Sequence, residues 1–140
     1  MSADATVEAA RKMIGTRWRH QGRKPWAVDC VGLLVLSMES AGWPKFDAYN
    51  GYGRDPWDDR LRKTLQANFG NPVADMQPGD VGLVRWGRAE PSHVGIIADY
   101  VWGGHSIIHA HNLHGVVETS LSGEIADSIV DIYRPDWSKV

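Results

Sequence analysis

The chain has 140 residues, 43% of them hydrophobic and 23% charged, which is the size and balance of one ordinary globular domain with a buried core. Its net charge of −2, with no basic cluster interleaved with aromatics, argues against a nucleic-acid partner. No apolar run approaches the roughly 18 residues that a membrane span needs, so no membrane insertion is expected.

The first fifteen residues carry Asp4, Glu8, Arg11 and Lys12 and no apolar h-region, so no secretory signal is expected and synthesis is read as cytoplasmic. Within them, residues 4–14 read as a helix with Val7, Ala10, Met13 and Ile14 at helical spacing and Gly15 as its stop. Residues 16–28, rich in Arg, Gly and Trp, read as a loop. Asp29 is a good N-cap for a second helix ending near Gly42, with Pro44 beyond. Val31, Leu33, Leu34, Val35, Leu36 and Met38 make that helix apolar almost all round, as expected of a buried central helix. Residues 49–54 read as a turn. Asp55-Pro56 then caps a third helix in which Trp57, Leu61, Leu65 and Phe69 recur every four residues up to Gly70.

After Pro72 the pattern changes to short apolar or alternating stretches at 81–86, 93–100, 106–110, 115–119 and 129–133, separated by turn residues. Helices first and strands second predict an α+β domain, with N-terminal helices packed on an antiparallel meander of about five strands. No internal repeat or linker divides residues 1–140, which read as a single domain.

Cys30, the only cysteine, sits where the polar loop turns into the apolar helix. A lone thiol cannot close an internal disulfide, so it is either a nucleophile or an inert core residue. At a helix start, backbone N–H groups and the helix dipole favour the thiolate, which lowers a thiol pKa from its usual value of about 8.5. A cysteine hydrolase also needs an imidazole to share the thiol proton and a third polar group to orient it. His20 precedes the helix, and His93, His105, His109, His111 and His114 fall in the strand half. Their spacing fits no standard zinc motif, so neither a metal nor any other cofactor is expected. The seven tryptophans (Trp18, Trp26, Trp43, Trp57, Trp86, Trp102 and Trp137) suit either core packing or an aromatic docking surface.

Five strings occur in order: Gly15-Thr16-Arg17-Trp18, Asp29-Cys30-Val31-Gly32-Leu33, Gln77-Pro78-Gly79-Asp80, Ser92-His93-Val94-Gly95-Ile96 and Ile108-His109-Ala110. Together they resemble the NlpC-type cell-wall peptidases, whose patterns are roughly GTxY, DCSGL, xPGD, xHVGI and an apolar residue before His-Ala. Within that family the chain looks most like the compact peptidases of phage tails and tail-like gene-transfer particles. The resemblance implies a papain-like fold with Cys30 as nucleophile, His93 as base and His109 as the orienting residue. It also implies hydrolysis of the peptidoglycan stem peptide, at the D-Glu to diaminopimelate bond. Two positions depart from the family. Val31 replaces the usual serine, leaving Asp29 to hold a substrate amine alone, and Trp18 replaces a tyrosine near the nucleophile, where its indole N–H could contact substrate or oxyanion.

For His93 and His109 to meet, they must share a sheet face. A three-residue turn at Trp102-Gly103-Gly104 would place His109 across from Ile97 on the face of His93, with His105 in the turn and His111 past the last paired residue, whereas a two-residue Gly103-Gly104 loop would flip His109 to the other face. The absent signal is reconciled with wall hydrolysis by assembly in the cytoplasm into a virion or tail-like particle, with tail hub or baseplate proteins as partners. Two alternatives use the same residues: a structural tail or baseplate subunit with little turnover, and a cytosolic thiol amidase or acyltransferase.

Overall fold

The structure is a computed structural model and describes residues 2–46, 59–87 and 90–140. The expected turn at 49–54, the Asp55-Pro56 cap and Trp57, expected in the third helix, lie outside the described residues. Helix α1 (Ala3–Lys12) is capped by Ser2, whose hydroxyl accepts from the Ala5 N–H, and carries Asp4 in its first turn and Arg11 and Lys12 in its last. It buries Thr6, Val7 and Ala10 against α2 (Cys30–Ser40), the apolar central helix. Helix α3 (Arg60–Phe69) buries Leu61, Leu65 and Phe69 and ends at Gly70.

The stretch at 16–28, expected to be a loop, instead forms a small sheet of two-residue strands: β1 (Arg17–Trp18), β2 (Arg23–Lys24) and β3 (Ala27–Val28). Strand β3 is central, parallel to β1 and antiparallel to β2. Strands this short show no periodicity, which is why sequence pattern alone missed them.

The main sheet contains β4 (Val81–Val84), β5 (His93–Asp99), β6 (His105–His111), β7 (Gly115–Ser120) and β8 (Ile129–Tyr133), all at or near their expected positions. Its order, β7-β6-β5-β4-β8, corrects the simple meander: the last strand crosses back to β4 by way of a short helix α4 (Gly123–Asp127). The outer edge of β7 is already taken. Gly15 N–H donates to the Val116 carbonyl and Val116 N–H donates to the Thr16 carbonyl, both at 2.9 Å. Gly115 allows that approach, since a Cβ there would lie 2.3 Å from the Thr16 carbonyl oxygen. The edge of β4 is the one left for β8.

The two sheet faces bury different cores. Val94, Ile96, Ala98, Ile108 and Ala110 join α1, α2 and α3 in the larger one. Val84, Ile97 and Ile107 form a smaller one, covered by Met76, Leu121, Ile125 and Ile129. The register of β5 with β6 runs from Asp99↔His105 to Ile96↔Ile108. It differs from the expected pairing, because the turn is residues 100–104, closed by a Tyr100 N–H bond to the Gly104 carbonyl. The shift is two positions, so His109 still shares a face with His93. His105 opens β6 rather than sitting in the turn, and His111 is a paired residue, opposite Gly115.

Candidate active site

Helix α2 begins at Cys30 because Asp29 caps it: the carboxylate accepts from the Gly32 N–H at 2.8 Å. The same carboxylate accepts from Gln21 N–H at 2.9 Å and from Arg23 Nη1 at 3.0 Å, and Asp29 is only 3% exposed. Gln21 takes a left-handed backbone (φ 57°) to present that N–H, a strained geometry for a residue with a Cβ. Gly32 fits beneath, where a Cβ would come 2.0 Å from the Gly22 carbonyl oxygen. The Asp-Cys-Val-Gly string is therefore a lock between a loop and a helix start. Asp29, expected to hold a substrate amine, already carries these donors, and an incoming amine would compete with Arg23 for its Oδ1.

The Cys30 thiol is half-buried and reaches the first residues of β5. Its Sγ donates to the Ser92 carbonyl at 3.9 Å, and the Val94 N–H is directed at the sulfur. These backbone groups flank His93. The paired register of β5 with β6 stops at Ile96↔Ile108, so residues 93–95 lie beyond it, and the thiol occupies that opening. His109 reaches into it from β6: its Nδ1 lies 2.8 Å from His93 Nε2, with the rings edge-on at 5.0 Å between centroids. Gly95 keeps the two strands close at the edge of the opening, where a Cβ would meet Ile107 Cγ1 at 2.4 Å.

Electrostatics at this site run against the helix-start expectation. Burial pushes the Cys30 thiol up to about 12, and the Asp29 charge adds to the rise. The Val94 and Val31 N–H groups and Arg23 oppose it without prevailing. Burial brings His93 down to about 3, helped by His109 and His111, and brings His109 down to about 4, helped by His111. Thiol and imidazoles are therefore all neutral near pH 7. With its Nε2 tied to His109, His93 keeps Nδ1 as the ring nitrogen available for other chemistry.

The remaining histidines lie outside the His93–His109 contact, with His111 near enough to add to the lowering of both. His105 lies at the far end of β6, opposite Asp99. His111 accepts from the Leu113 and His114 N–H groups and stacks on His114 at 4.7 Å. His20 lies 6.3 Å from Trp18 between ring centroids. Trp18 packs half-buried on the larger core, as Cys30 does. Among the described residues no group of three or more His, Cys, Asp or Glu is arranged to hold a metal ion, and no helix is long and apolar enough to cross a membrane. Two neighbours of the site were not singled out from sequence. Arg23 holds Asp29, and Trp86 places its ring 5.7 Å from that of His93. Trp86 follows Val84 by two residues, and Val84 pairs with His93, so its side is legible only once that register is known.

The sequence pattern of the NlpC/P60 family matches residues 15–134, a span that takes in Cys30, His93 and His109. No curated protein matches the chain. Similar solved structures include the NlpC/p60 domain of the peptidoglycan hydrolase SagA, at a TM-score of 0.68 and 20% identity over 96% of this chain and 99% of that one. An NlpC/P60 family protein from Bacillus cereus ATCC 10987 superposes at 0.70 with 18% identity over 96% of this chain but 40% of that one. An N-acetylmuramoyl-L-alanine amidase from Bacteroides uniformis ATCC 8492 gives 0.62 with 11% identity, over 96% and 98% of the respective chains. At these identities the likeness is one of fold. The α+β, papain-like architecture and the family match over most of the chain agree, and the chain belongs to the NlpC/P60 family.

Proposed function

We propose that the protein is a cysteine endopeptidase of the peptidoglycan stem peptide, with Cys30 as nucleophile, His93 as base and His109 as the residue that orients it. The observation that carries this reading is the 2.8 Å His93–His109 contact at the strand opening that holds the Cys30 sulfur. With the His93 proton on Nε2 and donated to His109 Nδ1, Nδ1 of His93 is bare and can accept. Because thiol and imidazole rest neutral, proton transfer accompanies attack instead of preceding it. Sγ bonds to the substrate carbonyl carbon as its proton passes to His93 Nδ1. The Cys30 backbone N–H at the helix start, with the Trp18 indole as a candidate second donor, stabilises the oxyanion. The proton then goes to the leaving nitrogen as the C–N bond breaks, and water hydrolyses the thioester. Asp29 contributes to amine recognition through the loop it fixes, with Arg23 as the competing cation.

The bond proposed is D-Glu to diaminopimelate, and the proposed setting is a phage tail or tail-like particle. There, tail hub or baseplate proteins carry the enzyme from its cytoplasmic assembly to the wall. Both finer points rest on the ordered strings shared with the compact tail peptidases. Purified peptidoglycan digested with the protein tests the reading through the masses of its products. A new amine on diaminopimelate supports an endopeptidase of this specificity. A free lactyl group on the sugar with an intact stem peptide would make it an amidase instead.

A further inference from the structure

We propose that Trp86 forms the subsite for the departing half of the substrate, receiving the aliphatic stem of a diamino acid on its open face while its other side braces His93. The inference rests on the endopeptidase reading above, in which His93 returns the proton to the leaving amine, so the departing residue must lie beside that imidazole. Among the described residues, Trp86 is the tryptophan set against it: its ring centroid is 5.7 Å from His93 at a 37° tilt, and 44% of the residue remains exposed.

It is also held in place. Val84 pairs with His93 on the smaller-core face, and two residues further Trp86 continues that side beyond the end of the strand. Arg85 N–H donates to the Ser128 carbonyl at 2.9 Å, which ties this extension to the start of β8. An indole fixed against the base with a free face is suited to a linear alkyl chain, which gains contact area at little cost in ordering the wall. His109 fixes the His93 ring from one side through Nε2, and Trp86 covers it from another. Trp86 is thus a specificity-determining residue that also positions the base.

The test compares two peptides, L-Ala-γ-D-Glu-L-Lys and L-Ala-γ-D-Glu-Gly, which differ only in the departing residue. Trp86→Ala is expected to lower kcat/KM on the lysyl peptide about tenfold, chiefly through KM, and on the glycyl peptide less than about threefold. Trp86→Phe, which keeps a flat apolar face, recovers most of the loss. Equal losses on both peptides, or none on either, would overturn the subsite. If the wild type cuts neither peptide, the endopeptidase reading is decided by the peptidoglycan digest. The subsite is then judged by the Trp86 indole N–H resonance of the Cys30→Ala protein, titrated with lysine amide and glycine amide. A shift with lysine amide alone supports the subsite, whereas no shift or equal shifts overturn it.

Discussion

The two ends of the β5–β6 hairpin are built for different purposes from the same pair of strands. At the turn end the ladder is complete from Ile96↔Ile108 to Asp99↔His105. Arg11 from α1 closes it, bonding both Glu118 oxygens at 3.0 and 2.9 Å and the Asp99 carbonyl, while Ser106 donates to Glu118 at 2.7 Å. The Arg11 guanidinium and the Ser106 hydroxyl hold the Glu118 carboxyl below the usual carboxylate range. At the other end the paired register has stopped, backbone groups of Ser92 and Val94 turn to a thiol, and two imidazoles meet across the gap. One end ties charged side chains to one another across the strands. The other sets a thiol contact and an imidazole pair at the start of β5, and that end carries the residues of the proposed reaction.

The sharpest way to break this contrast is to remove the base. His93→Ala is expected to lower kcat/KM on stem peptides by about 10⁴-fold or more, with the melting transition kept, because residues that act as a unit fail together. Assayed beside it, His109→Ala should cost about 10²-fold, since it removes orientation and not the proton acceptor itself. Equal activity of either variant and the wild type would detach the open end from function.

A second prediction concerns the thiol at that end. A Cys30 thiol raised to about 12 is protonated throughout the neutral range. Iodoacetamide alkylation should therefore rise about tenfold per pH unit from pH 6 to pH 9 without levelling, as the thiolate fraction grows. A plateau beginning below pH 7 would instead mean a preformed thiolate, and would reverse the balance of burial over helix-start stabilisation.

Much of this was readable from residues, and the limits have physical causes. Asp29, Cys30, the apolar run to Met38 and the five strand positions carry local signals: a capping side chain, a 3.6-residue period, turn residues between apolar stretches. The shared face of His93 and His109 is the same in the expected and observed registers, because the two differ by two residues and side chains alternate with period two. What escaped depends on contacts distant in sequence. The return of Ile129–Tyr133 to β4 follows from Gly15 and Thr16 occupying the edge of β7. The raised thiol pKa follows from how β5 and Asp29 enclose Cys30, which no helix-start rule contains. Trp86 became visible only through the Val84↔His93 pairing.

Smaller effects are expected from the strands themselves. Gly95→Ala places a Cβ against Ile107 at the edge of the opening and is expected to cost about 1–3 kcal/mol in urea unfolding, with activity falling as the strands shift. At the closed end, Glu118→Gln should cost about 1 kcal/mol and leave kcat/KM unchanged, because it weakens the Arg11 clamp and the Ser106 bond, both away from the thiol. Activity loss from Glu118→Gln as large as that from Gly95→Ala would mean the two ends are coupled, not separate.

The most direct test of the central claim is mass spectrometry of the intact protein, acid-quenched during turnover of a stem peptide and then digested to locate any adduct. An acyl group is expected on the peptide containing Cys30, greatly depleted in His93→Ala, with neither adduct nor cleavage in Cys30→Ala. Cleavage that persists in Cys30→Ala would contradict it.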